Sequence, residues 1–494
     1  MTTRRARFEI PLNLALSLLS GFLLRLIFPN FNLQWMASIA LSPLLIAVAR
    51  EEKLRLRFLY GWIAGVLYWF TLCTWIQFVL EVHGGMGKWG GWGSFLLFCV
   101  LKAIHLGVFA ALAGPLMWRA YALPAVAALW VGLERTHGTF GFAWLALGNA
   151  GINMSVPLRL APFVGVYGLS FVFALLAAAV ATVILRYPRK YLWPLVGLPL
   201  LYLLPAIREG TPAPRRALAV QPNIDTESTW TLATETEAER HLQLISDMLD
   251  ARLVVWPELP APFYYYDDPV FRQEAQQIAR KHGYFLFGTV VYAQPHQPMN
   301  SAVLLGPNGQ ELGRYDKVNL VPFGEFIPPL FSFVNRITQE AGDFVPGDRV
   351  RVLNAPPDQL GVFICYESAF PDFVRQFARE GATVFFNLSN DAYFGHSAAR
   401  EQHLSLVRMR AVENRRFIVR STNDGLTVSI DPAGRVLREL PPYKEVAALL
   451  PYGSVQETTF YTRHGDWFAW SCLVLGLFLS LQTQWAARVK TPRA

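Results

Sequence analysis

The chain has 494 residues, 53% hydrophobic and 16% charged, with 15 Trp and 35 Phe, whereas a soluble protein of this length carries about a quarter of its residues as charges. That composition argues against an ordinary soluble protein and for a chain set in a lipid bilayer. The surplus of 44 Lys and Arg over 36 Asp and Glu does not indicate a nucleic-acid partner, because the basic residues fall in short loops beside apolar runs, where they report topology.

A helix needs ~20 apolar residues to cross a bilayer. By that measure spans fall near 10–28, 34–49, 58–80, 91–117, 121–135, 160–185, 190–206 and 467–484. Glu134, Arg135 and His137 interrupt the fifth, and the seventh is short and proline-rich. The pattern predicts a multi-span α-helical bundle of seven spans over residues 1–206, a domain of ordinary globular composition over 214–450, and a C-terminal transmembrane helix at 467–484. The first run starts like a signal peptide, but Arg25 interrupts it and no small-x-small cleavage site follows, so it reads as a span. Arg4, Arg5 and Arg7, then Arg50, Lys53, Arg55 and Arg57, then Arg119, then Arg186, Arg189 and Lys190, and finally Arg488, Lys490 and Arg493 all fall on one side of eight spans. The positive-inside rule puts that side and both termini in the cytoplasm. Residues 207–466 then lie outside, which in a bacterium is the periplasmic face of the inner membrane. Ionisable groups within spans are functional candidates by default. Arg25, near the outer end of the first span, can hold a phospholipid phosphate or snorkel to the interface; Lys102 is expected to pair with Glu134.

In the outer domain, β-rich runs at 217–223, 252–258, 284–292, 301–307, 360–367, 382–390 and 416–434 alternate with helical stretches. Continuous apolar strands between helices predict an α/β domain whose sheets are covered by helices. "GPNG" and "DPAG" read as hairpin turns. Cys73, Cys99 and Cys472 lie in apolar spans, and Cys365 stands alone in the outer domain, so neither a structural disulfide nor a zinc cluster is expected there.

Several of these runs end in polar residues: "VVWPE" at Glu258, "VFICYE" with Cys365 and Glu367, "FFNLSND" at Asn390 and Asp391. Strand-end side chains of α/β domains gather in one crevice. Lys317, in "GRYDKVNLVPFGEF", precedes Glu325 by a proline-containing turn. A thiol is mostly protonated at neutral pH and needs a base or a cation to become a nucleophile. Glu258 suits the base if burial against Trp256 and Pro257 raises its pKa. Lys317 suits stabilisation of the thiolate and then of an oxyanion, with a backbone amide near Cys365. Each also has a bland reading: a buried inert thiol, a helix-start carboxylate, a solvated turn lysine.

"WPE", "YDKVNLVPFGE", "ICYE" and "LSNDAYFG", in this order, resemble the nitrilase superfamily, with its α-β-β-α sandwich and a Glu-Lys-Cys site matched here by Glu258, Lys317 and Cys365. "NLVPFGEF", "ICYES", "NLSNDAYFG", "QHLSLVRMRAVENRR" and "RSTNDGLT", together with the eight-span frame, are similar to the bacterial apolipoprotein N-acyltransferase family over nearly the whole chain. The resemblance implies that Cys365 takes an acyl chain as a thioester from a membrane phospholipid, typically phosphatidylethanolamine. The α-amine of the diacylglyceryl-cysteine of an apolipoprotein then accepts it. It further implies Glu258 as base, Lys317 as oxyanion partner, Glu325 as a second orienting carboxylate, and Tyr366, Glu367 and Trp230 as further required positions. No cofactor or metal is called for, because ester to thioester to amide begins from an activated donor. Glu325 as an ion-pair partner, Glu367 as an acceptor for backbone amides, and Trp230 as an interfacial aromatic remain open. So do a membrane-tethered amidase with the same site, and a transporter or sensor whose outer domain binds ligand.

Overall fold

The computed structural model describes residues 2–139, 142–210, 215–225, 230–322, 324–326 and 344–489, without the side chains of 2–8, 232 and 487–489. Phe140, Gly141, Phe323, Lys490, Arg493 and residues 226–229, which carried part of the motif and charge readings, lie outside that set. Two compact units are present: one comprises 1–77, 89–206 and 466–494, the other 78–88 and 207–465.

The first unit is helical. Among the described residues, four helices are long and apolar enough to cross a membrane, Glu9–Leu26, Gly87–Leu116, Val166–Ile184 and Trp467–Ala486, and the pair Leu54–Leu72 and Trp75–His83 makes a fifth if its 64° bend lies within one span. Phe22, Leu97, Leu101, Val474 and Phe478 face outward while Ala, Gly and Ser fill many buried positions, the pattern of a bundle solvated by lipid. The closing helix lies tight against Ala122–Thr139: a Cβ on Gly132 would sit 2.3 Å from the Leu473 Cα, and one on Gly476 would sit 2.6 Å from the Leu129 Cα. Where a span was expected over 190–206, residues 189–203 wind as 3-10 turns with Pro194 and Pro199 inside and no residue buried.

Two sequence expectations change within this unit. Lys102 does not pair with Glu134: its Nζ donates to the Phe142 carbonyl at 2.9 Å and lies over the Trp69 ring. Glu134 instead accepts from Trp130 Nε1 at 3.1 Å and the Leu147 amide at 2.7 Å. With Arg135 paired to Asp466, the charges that interrupt the fifth apolar run are satisfied inside the bundle. The helix therefore continues through them to Thr139.

The second unit is an α-β-β-α sandwich. Its strands are β1 (Arg215–Gln221), β2 (Leu253–Val255), β3 (Tyr284–Gln294), β4 (Gln297–Leu305), β5 (Glu311–Asp316), β6 (Val352–Ala355), β7 (Asp358–Ile364), β8 (Val384–Ser389), β9 (Ile418–Thr422), β10 (Val428–Ile430), β11 (Val436–Glu439) and β12 (Val446–Tyr452). They form two six-stranded sheets, β12-β1-β2-β3-β4-β5 and β11-β10-β9-β8-β7-β6. Parallel pairing of β1-β2-β3 and of β7-β8-β9 requires crossovers, which the helices supply. Ser421 of β9 donates to the Val220 carbonyl of β1 at 3.0 Å, joining the sheets where they stack. "GPNG" turns β4 into β5 and "DPAG" turns β10 into β11, with Gly309 and Gly434 at φ +75° and +76°.

The helix Pro269–His282 shows how local sequence sets the outer layers. Asp268 Oδ1 caps it by accepting from the amides of Val270 and Phe271 at 2.7 and 3.2 Å. Proline opens it, Arg280, Lys281 and His282 occupy its last turn, and Gly283 at φ +110° ends it, in agreement with helix-dipole and capping preferences. Its Phe271, Ala275 and Ile278 pack with Trp256, Phe263, Phe285 and Phe287 into the core over the first sheet.

Candidate active site

The C-terminal ends of β2, β5, β7 and β8 deliver Glu258, Lys317, Cys365 and Asn390. These strands run in one sense, so their ends collect on one side of the sandwich, as in other α/β sheets. Gly288 in β3 makes room for the Glu258 backbone: a Cβ there would come within 2.8 Å of the Leu259 nitrogen and the Pro257 oxygen.

Lys317 is 1% exposed, and its Nζ donates to Glu258 Oε1 and Glu325 Oε1, each at 2.9 Å. Burial alone would lower its pKa, but the two carboxylates and the Cys365 sulfur raise it well above the ordinary lysine value, so the ammonium stays charged. Asn300 of β4 braces the pair, donating through Nδ2 to Glu258 Oε1 and Glu325 Oε1 at 2.8 Å each. The Asn390 amide donates to Glu258 Oε2 at 3.0 Å, and the Val321 amide to Glu325 Oε2 at 2.8 Å. Both carboxylates are thereby fixed in orientation before any substrate arrives.

Cys365 follows β7 directly, at φ +48°, a left-handed conformation that a side chain adopts at some cost in energy. Its thiol is buried and lies within electrostatic reach of Glu258, Lys317 and Asp391. Burial and then the Glu258 carboxylate push the thiol pKa far up, and Lys317 offsets only part of this. The resting sulfur is consequently a neutral thiol. The Lys317 ammonium, shared between two carboxylates, offsets the burial only in part.

Glu367 does not face the thiol. Its Oε1 accepts from Tyr315 Oη at 2.6 Å and from the amides of Val318 and Asn319 at 2.8 and 3.1 Å, and its Oε2 accepts from the Ile364 amide at 2.7 Å. Burial pushes this carboxyl up to about 7 against the pull of those donors. One side chain thus ties the segment after Lys317 to the residue before Cys365. Tyr366 is buried edge-on against Phe370, with ring centroids 5.1 Å apart. Trp230 packs, half-buried, against the Trp256 core cluster. Arg25 belongs to the helical unit, where its guanidinium donates to the carbonyls of Thr71, Phe28 and Pro29 at 2.9, 3.3 and 2.6 Å.

Sequence reasoning assigned no role to Asn300, Ser389, Tyr393, His403 or Arg420. Tyr393, 41% exposed, lies within electrostatic reach of Glu258, Glu325, Lys317 and Cys365, and the His83 ring sits tilted by 39° to its own with centroids 4.3 Å apart. His403 and Arg420 are wholly buried beneath Cys365. Arg420 carried a signal as a charged side chain in the buried strand β9, whereas His403 lies on a helix rich in polar residues, where one more polar side chain gives none. No group of three or more His, Cys, Asp or Glu among the described residues could hold a metal ion.

A thiol, an ammonium and two carboxylates held this way can carry out acyl transfer through a covalent intermediate. Residues 216–459 match the carbon-nitrogen hydrolase family, and residues 20–179 match the apolipoprotein N-acyltransferase N-terminal domain. The apolipoprotein N-acyltransferase of Geobacter metallireducens is 33% identical over 483 residues, covering 93% of this chain and 92% of that one. The chain belongs to the apolipoprotein N-acyltransferase family. A second family member, from Methylococcus capsulatus, is 31% identical over 475 residues and covers 92% of each chain. Among solved structures, a mutant amidase of the nitrilase superfamily from Nesterenkonia AN1 is 20% identical, with a TM-score of 0.39, over 53% of this chain and 95% of that one. In this family member the N-terminal match falls in the helical unit and the hydrolase match in the sandwich.

Proposed function

We propose that this protein transfers an acyl chain from a membrane phospholipid, with phosphatidylethanolamine the expected donor, to the N-terminal amine of a diacylglyceryl-cysteine apolipoprotein, through a thioester on Cys365. The observation that carries the reading is the Lys317 ammonium clamped between Glu258 and Glu325 beside a buried, neutral thiol. Glu258 takes the thiol proton as the sulfur attacks the ester carbonyl, so no free thiolate need accumulate. Lys317 and a backbone amide stabilise the oxyanion. Collapse breaks the ester bond, and the departing glycerol oxygen takes the proton from Glu258, leaving lysophospholipid and thioester. The lipoprotein amine then attacks the thioester, gives a proton to Glu258 and forms the amide. The C–S bond breaks and the sulfur recovers its proton. Glu325 holds Lys317 in register throughout.

Family membership and the outward apolar faces of the helices support a multi-pass inner-membrane protein; seven spans before the sandwich and one after it is the count the apolar runs suggest, and among the described residues four helices, or five with the bent pair, are long and apolar enough. The basic-loop asymmetry supports a periplasmic catalytic domain. Both substrates keep their acyl tails in the bilayer, which gives a catalyst of this kind reason to be tethered at both ends.

Intact-mass analysis of the purified protein in mixed micelles of phosphatidylethanolamine tests the reading. We expect a gain of one acyl group, on the peptide containing Cys365 and labile to hydroxylamine, that moves to a synthetic diacylglyceryl-cysteine peptide when this is added. Release of the chain as free fatty acid in the presence of the peptide would instead support a hydrolase. Unimpaired turnover of Cys365→Ser would overturn both.

A further inference from the structure

Beneath the nucleophile runs a buried polar chain that the mechanism above does not use. His403, fully buried on the helix Ala399–Asn414, places Nε2 3.0 Å from the carbonyl oxygen of Cys365. Its Nδ1 lies 3.2 Å from Asp391 Oδ1 and 3.2 Å from Arg420 Nη2. Arg420 Nη2 in turn donates to both Asp391 oxygens at 2.7 Å, and Arg420 Nη1 to Asn387 Oδ1. Ser389 donates to Asp391 Oδ1 at 3.0 Å. The chain therefore meets Cys365 at its carbonyl. Burial and then Arg420 hold His403 below its ordinary pKa, so the imidazole is neutral. A carbonyl can only accept, so the ring proton sits on Nε2, and Nδ1 accepts from Arg420.

Why this arrangement bears on the reaction follows from the backbone of Cys365. At φ +48° the residue sits in a conformation it would leave if unconstrained. The peptide joining it to Tyr366 is planar, so fixing its oxygen fixes the direction of the Tyr366 N–H and the place of the Cys365 Cα that carries the thiol side chain. Resting on the acyl-transfer reading, we propose that His403 is a positioning residue: by holding the Cys365 carbonyl it keeps the sulfur and the following amide aimed at the substrate carbonyl. Asp391 and Arg420 fix the imidazole, and the preceding Asn390 amide fixes Glu258, so nucleophile and base are registered to one buried framework.

Two substitutions separate positioning from bulk packing. His403→Gln can still reach the Cys365 carbonyl with an amide donor. His403→Asn keeps a polar contact with Asp391 and Arg420 but is too short to reach that carbonyl. With phosphatidylethanolamine micelles, the rate of acyl-enzyme formation in the Asn variant is expected to fall about 100-fold, the scale of a misplaced reacting group. The Gln variant should stay within about tenfold of wild type, and KM should change less than about twofold in both. Equal rates in Asn and Gln, or a loss confined to KM, would overturn the proposal. Should the Asn variant not fold, His403→Gln alone provides the kinetic comparison against wild type, where a loss near 100-fold would overturn the proposal. Failure of wild type itself to form an acyl-enzyme refutes the underlying reading, a result distinct from wild type acylating while Asn matches Gln.

Discussion

Replacing Glu258 with glutamine separates two effects on Cys365. The anion beside the sulfur disfavours a second anion, and together with burial it holds the thiol protonated. Glu258→Gln removes that charge, so the thiol pKa falls and the midpoint of the iodoacetamide alkylation profile moves to lower pH. Acyl-enzyme formation nevertheless drops at least about 100-fold, because the proton acceptor is gone. Lys317→Met has the opposite electrostatic sign: the alkylation midpoint moves up. It also leaves Glu258 and Glu325 buried without their shared cation, a loss of about 3–5 kcal/mol that a thermal melt will register. Identical alkylation profiles for the two variants would refute this account of the site. Glu258 and Cys365 were legible in the sequence because each closes an apolar run with a polar side chain, and Lys317 through the motif around it. Asn300 and His403 were not: a polar residue within a buried element gains its meaning from what it faces, and Asn300 faces a carboxylate 42 residues away.

Elements were legible to the extent that hydropathy reports them. The run over 58–80 reads as one straight span, yet it is a helix pair bent by 64°. An explanation lies in Arg25, whose Nε donates to the Thr71 carbonyl at 2.9 Å, an acceptor that an unbroken helix would have offered to the amide four residues on. A hydropathy average cannot see a side chain arriving from another helix. The same contact sets two uses of Arg25 against each other. Arg25→Lys keeps a positive charge for a lipid phosphate but loses the planar fork that serves three carbonyls. We expect a lower Tm with an unchanged KM for phospholipid; an unchanged Tm with a raised KM would return Arg25 to the lipid site. Residues 189–203 show the complementary failure, where enough apolar residues for a span are wound as 3-10 turns around two prolines.

For the whole molecule, composition and loop charge predicted a bundle interrupted by a globular domain, and the strand ends predicted on which side of that domain the chemistry would gather. The pairing order of twelve strands in two sheets was beyond those signals, because register depends on contacts between runs distant in sequence. Topology is open to direct test. All four native cysteines are buried, and the far end of β3 is exposed at Gln294, where the chain turns towards β4. In spheroplasts, Gln294→Cys is expected to react with a membrane-impermeant maleimide while wild type does not; labelling only after lysis would place the sandwich in the cytoplasm. The glycine seam between Ala122–Thr139 and the closing helix carries a consequence for biosynthesis. Half of that seam is translated before the sandwich and half after it, so the groove at Gly132 stands open while the ribosome makes residues 207–465, on the order of tens of seconds at ordinary elongation rates. A nascent chain halted anywhere in that interval would display an unfilled slot to the lipid.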